Sequence, residues 1–222
     1  VIFGPSIATV TAFTNAGVIR AGTDTMFDEA TLVHEYAHFL QENIGRYHLW
    51  PSVHDGCWIE SERAPKNTSE FAWFEGFPTF LSKAVRMYFP GSYLVKENPQ
   101  LPTEYKPKAC SAIGMTGPKG KKIVAEAVED RVTDLLFLLL NDGTPRACSG
   151  PVNTRHYRNC AIPIWDKNAK LIMSIFDKEL DSSQPDPIDV YKFTKAWLAR
   201  GGDRAHLDAS MRAVGMVPPP GP

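Results

Sequence analysis

Between Asp28 and Asn43 the chain reads DEATLVHEYAHFLQEN, and Leu32, Val33, Tyr36, Ala37, Phe39 and Leu40 recur with the period of an α-helix. Asp28 stands where a helix N-cap belongs. A helix here stacks His34 above His38, because side chains four residues apart share a face. Imidazoles packed against a core must find partners for their ring nitrogens, so this segment restricts both the packing and the chemistry of the rest. Glu35 is one residue on from His34, about 100° around the helix, beside the histidine pair rather than within it.

Most of the remaining pattern is helical. Ser69 to Tyr88 predicts a second helix that tolerates Gly76 and Pro78 and ends before Pro90-Gly91. Val124, Val128, Val132, Leu135 and Leu139 predict a buried helix over Ile123 to Asn141, stopped by Asn141-Asp142-Gly143. Further helices are expected at Ile164 to Leu180, Ile188 to Ala199 and Arg204 to Val214. Residues 45–69 and 99–120 read as loops. Ile7 to Phe13 and Val18 to Ala21 are rich in β-branched residues and flank Asn15-Ala16-Gly17, which predicts an N-terminal hairpin. The expected fold class is α+β and mainly helical, with a small N-terminal antiparallel sheet packed on a helical body. A single domain over 1–217 is expected, followed by a proline-rich, extended or disordered tail at 218–222.

Lys plus Arg number 24 against 25 for Asp plus Glu, so no excess of one sign draws the chain to nucleic acid or an anionic membrane. Leu135 to Leu140 is the longest apolar run, far short of the roughly 18 residues that cross a bilayer. Neither nucleic acid nor a membrane is an expected partner. A start at Val1, without a signal-peptide pattern, reads as a mature or excised segment. Cys57, Cys110, Cys148 and Cys160 contain no C-x-x-C pair, and their even number fits two disulfides. Of three pairings, the short loop favours Cys148 with Cys160 and therefore Cys57 with Cys110; four reduced core cysteines are the alternative. Disulfides imply an oxidising compartment, and the Asn67-Thr68-Ser69 sequon suits a secreted protein, so a secreted or extracellular location is expected.

His34-Glu35-Tyr36-Ala37-His38 is an HExxH segment, in which two histidines on one helix face can reach one zinc ion and the glutamate can act as general base. Catalytic zinc ordinarily takes a third protein ligand and leaves one position for water. Glu42 is about 12 Å of helical rise from His34, too far for bonds of about 2 Å. His48 does not fit the metzincin spacing, which requires its third histidine where Ile44 stands. Glu60 and Glu62 in the following loop, and Glu75 on the second helix, remain.

The segment Ala72-Trp73-Phe74-Glu75-Gly76-Phe77 resembles gluzincins, the thermolysin-like and aminopeptidase-type zinc peptidases. Its W-x-E-G-F string looks like their W-x-x-E-G-F segment. The resemblance implies a zincin-like fold, a Zn2+ cofactor held by His34, His38 and Glu75, and a peptide or protein substrate hydrolysed with Glu35 as base. More widely, Thr31 to Leu81 resembles a group of bacterial secreted HExxH proteins. The segment between His38 and Glu75 is longer than in gluzincins, which is tolerable because loop closure entropy grows slowly with length. Nothing matches the G-x-M-E-N segment that anchors a free amine in the aminopeptidases, so endopeptidase action is expected.

Thermolysin-like enzymes commonly stabilise the oxyanion with a Tyr or His. His54 is the first choice, because its loop joins the two ligand helices; His156 and Tyr157 are rivals. Thr79 and Asp130 are candidates to hold the second nitrogen of a ligand histidine. An extended substrate is expected to add alongside Val18 to Ala21 as an edge strand. The reading from another class is a catalytically inactive zinc-binding module in adhesion or scaffolding, against which the intact Glu35 speaks.

Overall fold

The computed structural model describes residues 2–3, 12–15, 18–21, 29–44, 54, 56–57, 68–88, 109–141, 155–180 and 187–220. In the strands and at 29, 86–88, 118 and 155–166 the description is of the backbone. Among the described residues six α-helices carry the fold: α1 (Glu29–Asn43), α2 (Ser69–Tyr88), α3 (Glu129–Leu140), α4 (Arg155–Lys178), α5 (Val190–Ala199) and α6 (Arg204–Ala213).

The second helix is the axis of the packing. Thr68 caps it, its hydroxyl accepting the Phe71 amide at 3.2 Å. One face of α2 is aromatic. Trp73 stacks on Phe193 of α5 at 5.2 Å between ring centroids, Phe77 on Phe176 of α4 at 4.5 Å, and Phe80 meets Phe137 of α3 edge-on at 5.1 Å. Trp73, Phe77 and Phe193 are fully buried, and burial of each such ring stabilises the fold by roughly 1.5–3 kcal/mol. With that face committed to the core, Glu75 and Thr79, four apart, line up along another side of the helix.

Gly76 permits the close approach of α3. A Cβ at this position would lie 2.8 Å from the Val132 side chain and 2.9 Å from the Glu129 carbonyl oxygen. The contact is also hydrogen bonded, because Thr133 donates its hydroxyl to the Gly76 carbonyl at 2.9 Å. The glycine expected only to weaken the helix is therefore what brings the start of α3 against α2.

A smaller apolar cluster of Ala112, Ile123, Ala127 and Val128 packs beside Cys57 and Cys110. Those two cysteines form a disulfide, Cα to Cα 5.6 Å, as expected. The expected Cys148–Cys160 pairing lies outside the described residues. So do Asp28, His48, Glu60, Glu62 and the side chains of His156 and Tyr157.

Buried Glu126, just ahead of α3, accepts the Tyr191 hydroxyl at 2.9 Å and the Val217 amide at 3.0 Å through one oxygen. Arg204 donates to the Pro219 and Pro220 carbonyls. The described part of the proline-rich end, 218–220, is thus held by named bonds, although it has no regular secondary structure.

The expected α+β, zincin-like class with an N-terminal antiparallel sheet packed on the body is overturned, and the described fold is mainly helical. Strand backbone is limited to β1 (Ile2–Phe3), β2 (Ala12–Asn15) and β3 (Val18–Ala21). Their order is β1-β3-β2, with β2 antiparallel and β1 parallel to β3. Segments of two to four residues joined in mixed orientation do not supply the layer that was expected. The described core is drawn from the helices and the segments that flank them. The strand-addition idea falls with it, because β3 has a neighbour on each side and is no edge.

Candidate metal centre

Helices α1 and α2 lie side by side, pinned near the start of α1 by a hydrogen bond from the Ser82 hydroxyl to the Ala30 carbonyl at 2.7 Å. Across this contact His34 and His38 face Glu75. The two Nε2 atoms are 3.1 Å apart, and the Glu75 Oε2 atom is 3.3 Å from His34 Nε2 and 3.1 Å from His38 Nε2. For a tetrahedral ion with bonds of about 2.0–2.1 Å, ligand atoms stand about 3.3–3.4 Å apart. The three donor atoms thus form a triangle close to one face of such a tetrahedron. His38 and Glu75 are buried and His34 partly so, and this His34-His38-Glu75 group can hold a metal ion.

The hydrogen bonds around the triangle orient its nitrogens. His38 Nδ1 is 3.0 Å from the Gln41 Oε1 atom, which can only accept, so His38 carries a proton on Nδ1 and turns Nε2 inward. Phe74 packs against the same ring, centroids 4.4 Å apart. His34 Nδ1 is 3.2 Å from the Thr79 hydroxyl, which donates its own proton to Glu129 Oε1 at 2.8 Å. A hydroxyl has one proton, so toward His34 it accepts, and His34 also turns an Nε2 lone pair inward. Two nitrogen lone pairs and a carboxylate oxygen at these separations repel one another unless a cation stands among them. The donor set therefore fits a metal ion, or protons in its place.

Titration behaviour in the metal-free site reflects the same demand. Burial opposes charge on Glu75, but hydrogen bonds from His34 and His38 and the nearby positive charge outweigh it, holding the carboxyl well below the usual range. Burial likewise opposes a charged His38, yet Glu75, Glu35 and Gln41 together raise its pKa above the ordinary 6.5.

His54 joins the group from outside. Its Nδ1 donates to Glu129 Oε2 at 3.0 Å, and its Nε2 is 3.3 Å from Glu75 Oε2. It is not among the atoms that mutually surround the ion position. Burial acts against its charge, but the Glu129 hydrogen bond and the charges of Glu75, Glu129 and Glu35 raise its pKa to about 9. The loop that carries it is held twice: Cys57 is disulfide-bonded, and the Gly56 carbonyl accepts the Asp130 amide at 2.9 Å. A side chain at position 56 would collide with the Asp130 carboxyl group.

The sequence-predicted residues therefore meet unequally. His34, His38, Glu75, His54 and Thr79 are brought together, and buried Glu35 is near enough for its charge to act on His38 and His54. Glu42 is not part of the cluster. Asp130 lies against Gly56, and the carboxylate that supports the site is its neighbour Glu129, which sequence reasoning missed. The available signal was weak: two consecutive acids open α3, and only the helix phase set by Gly76 and Gly56 decides which one points to the histidines.

Comparison with known proteins finds no matching family model, no similar curated protein and no similar solved structure. No helix among the described residues is long and apolar enough to cross a membrane.

Proposed function

We propose that this chain is a zinc-dependent peptidase with a gluzincin-like ligand set, with His34, His38 and Glu75 as ligands, Glu35 as general base and endopeptidase action on peptides or proteins. The observation that carries the reading is the triangle of two inward Nε2 atoms and one carboxylate oxygen, 3.1–3.3 Å on each side, with a glutamate next to the first histidine. Two imidazoles and a carboxylate are the ligand set of many hydrolytic zinc sites, which favours zinc over harder ions such as Mg2+ or Ca2+. The disulfide is consistent with an extracellular setting.

When bound, zinc supplies a Lewis acid that polarises the scissile carbonyl and brings the pKa of water to near 7. Glu35 takes the proton of the attacking water and passes it to the leaving amine, so that no covalent enzyme intermediate is needed. His54, held by Glu129 through Nδ1, would donate from Nε2 to the carbonyl oxygen as that oxygen becomes anionic. Gln41 and Thr79 keep the ligand rings in the tautomer that offers Nε2.

The test is a pair of measurements on wild type and Glu35→Gln. Wild type is expected to contain one zinc per chain and to cleave an unstructured protein such as casein in a chelator-sensitive way. Glu35→Gln is expected to keep the zinc and lose about 10²–10⁴-fold in turnover. Undiminished cleavage by that variant rejects the mechanism. Zinc without cleavage of any member of a broad peptide library would instead identify a binding module.

A further inference from the structure

Glu129 is a buried acid whose two oxygens reach two different parts of the centre. Its Oε1 atom accepts the Thr79 hydroxyl at 2.8 Å, and its Oε2 atom accepts His54 Nδ1–H at 3.0 Å. We propose that Glu129 is a positioning residue that sets the ring orientation of the metal ligand His34, through Thr79, and of His54, directly. One carboxylate then couples metal affinity to placement of the oxyanion donor; the affinity readout rests on the metal reading above.

The coupling follows from proton counting. A carboxylate only accepts, so both partners must donate to it. Thr79 has a single hydroxyl proton and commits it to Glu129, which leaves only an acceptor lone pair for His34 Nδ1 at 3.2 Å. His34 must therefore carry its proton on Nδ1 and offer Nε2 to the ion. His54 commits its Nδ1 proton to the other oxygen and is left with Nε2 facing Glu75 at 3.3 Å. Without the carboxylate, the Thr79 hydroxyl is free to turn its proton toward His34, which would favour the opposite tautomer, and His54 loses the bond that holds its ring.

The backbone shows why this residue and not its neighbour takes the role. Gly76 lets α3 approach so closely that a Cβ there would touch the Glu129 carbonyl oxygen. The Asp130 amide is engaged by Gly56, which directs the Asp130 side chain to the loop and leaves Glu129 toward α2. Thus α2 and the His54 segment meet the α3 side chain of Glu129 directly, and α1 is reached through Thr79.

The proposal is tested by zinc affinity, from competition with a chromophoric chelator, and by imidazole 1H–15N spectra. Wild type, Thr79→Val, Glu129→Met and the double variant are compared, with Glu129→Met keeping length but offering no oxygen. Thr79→Val is expected to weaken zinc binding about 10–100-fold and leave the His54 resonances in place. Glu129→Met is expected to weaken zinc to a similar extent and to shift the His54 Nδ1 signal. The double variant is expected to bind zinc no more weakly than the worse single variant, because both act along one chain of bonds.

Losses that multiply in the double variant, or wild-type affinity or unmoved His54 signals in Glu129→Met, would overturn the proposal. If Glu129→Met does not fold, Glu129→Gln, which keeps one accepting oxygen, must lose either the affinity or the His54 signal; wild-type values for both overturn it. A wild-type protein that takes up no zinc while its metal-free spectrum shows His34 protonated on Nδ1 refutes the metal reading and supports the relay.

Discussion

The two halves of the centre are built in different ways. His34, His38 and Glu75 project from two long helices whose contact is fixed by the core, whereas His54 sits on a loop fastened by a disulfide and a backbone hydrogen bond. Helix-borne ligands inherit the rigidity of a close-packed core. A loop-borne side chain is only as well placed as its few tethers. The contrast teaches that the metal position should survive injuries confined to His54 and its own tethers.

Glu75→Ala gives the largest effect: zinc content should fall to background, because two histidines alone do not complete the triangle. His54→Gln should keep full zinc content while turnover drops about 10²–10³-fold, the range for removing one oxyanion donor. Zinc loss in His54→Gln, measured by elemental analysis, would erase the distinction between the two halves.

Replacing both Cys57 and Cys110 by Ser should come next. The bridge spans a sequence separation of 53, for which the chain-entropy account gives about 4 kcal/mol, read from the denaturant midpoint. Turnover should fall with it, while zinc content at low denaturant stays at the wild-type value. Loss of the metal as well would mean that the tether supports the helices too.

Gly76→Ala is expected to destabilise by about 1–3 kcal/mol through overpacking against Val132 and the Glu129 carbonyl. A lowered melting temperature with zinc stoichiometry unchanged would sharpen the contrast, since the α2–α3 contact reaches the ligands only indirectly, through Glu129 and Thr79.

The smallest effect serves as a control on α6, which carries none of the site's residues. The Asp203 carboxylate caps that helix by accepting the His206 amide at 3.0 Å, and this bond holds its pKa below the ordinary 3.8. A depressed carboxyl pKa stabilises above the unfolded value and that contribution disappears as pH falls through the folded one. The protection of α6 amides, corrected for intrinsic exchange, should therefore fall slightly below about pH 4 in wild type and lose that pH dependence in Asp203→Asn. At neutral pH the metal site should not respond to Asp203→Asn.

Legibility in the sequence follows the same division. The bounds of α2, Ser69 to Tyr88, could be read outright because a long apolar period lies between a threonine cap and Pro90. The third helix was overextended: Val124, Val128 and Val132 fit a helical period, but Val124 is half exposed and Val128 is extended at φ −123°, ψ 122°. Tertiary demands won there, since Ile123 and Val128 fill the cluster beside the disulfide and Glu126 takes Tyr191. The fourth helix was begun too late, at Ile164, whereas it starts at Arg155 and runs through Pro163.

Within the site, spacing alone located the two histidines, and the resemblance nominated Glu75. Thr79 followed from being one turn further along α2. Glu129 did not follow from anything local, because its role depends on two glycines, far apart in the chain, that set the phase of α3. The sheet was inferred from β-branched segments flanking Asn15-Ala16-Gly17, a pattern that marks extended backbone but does not say how many further partners it finds or how large a layer they make.

The hold of Glu126 on the Val217 amide has a practical meaning for anyone trimming or tagging the protein. A shortened chain ending before Val217 would remove a donor to an interior carboxylate, while Tyr191, another donor among the described residues, belongs to a helix. A label appended beyond Pro220 leaves that anchorage intact, whereas one spliced a few residues earlier would loosen the middle of the molecule from its far end.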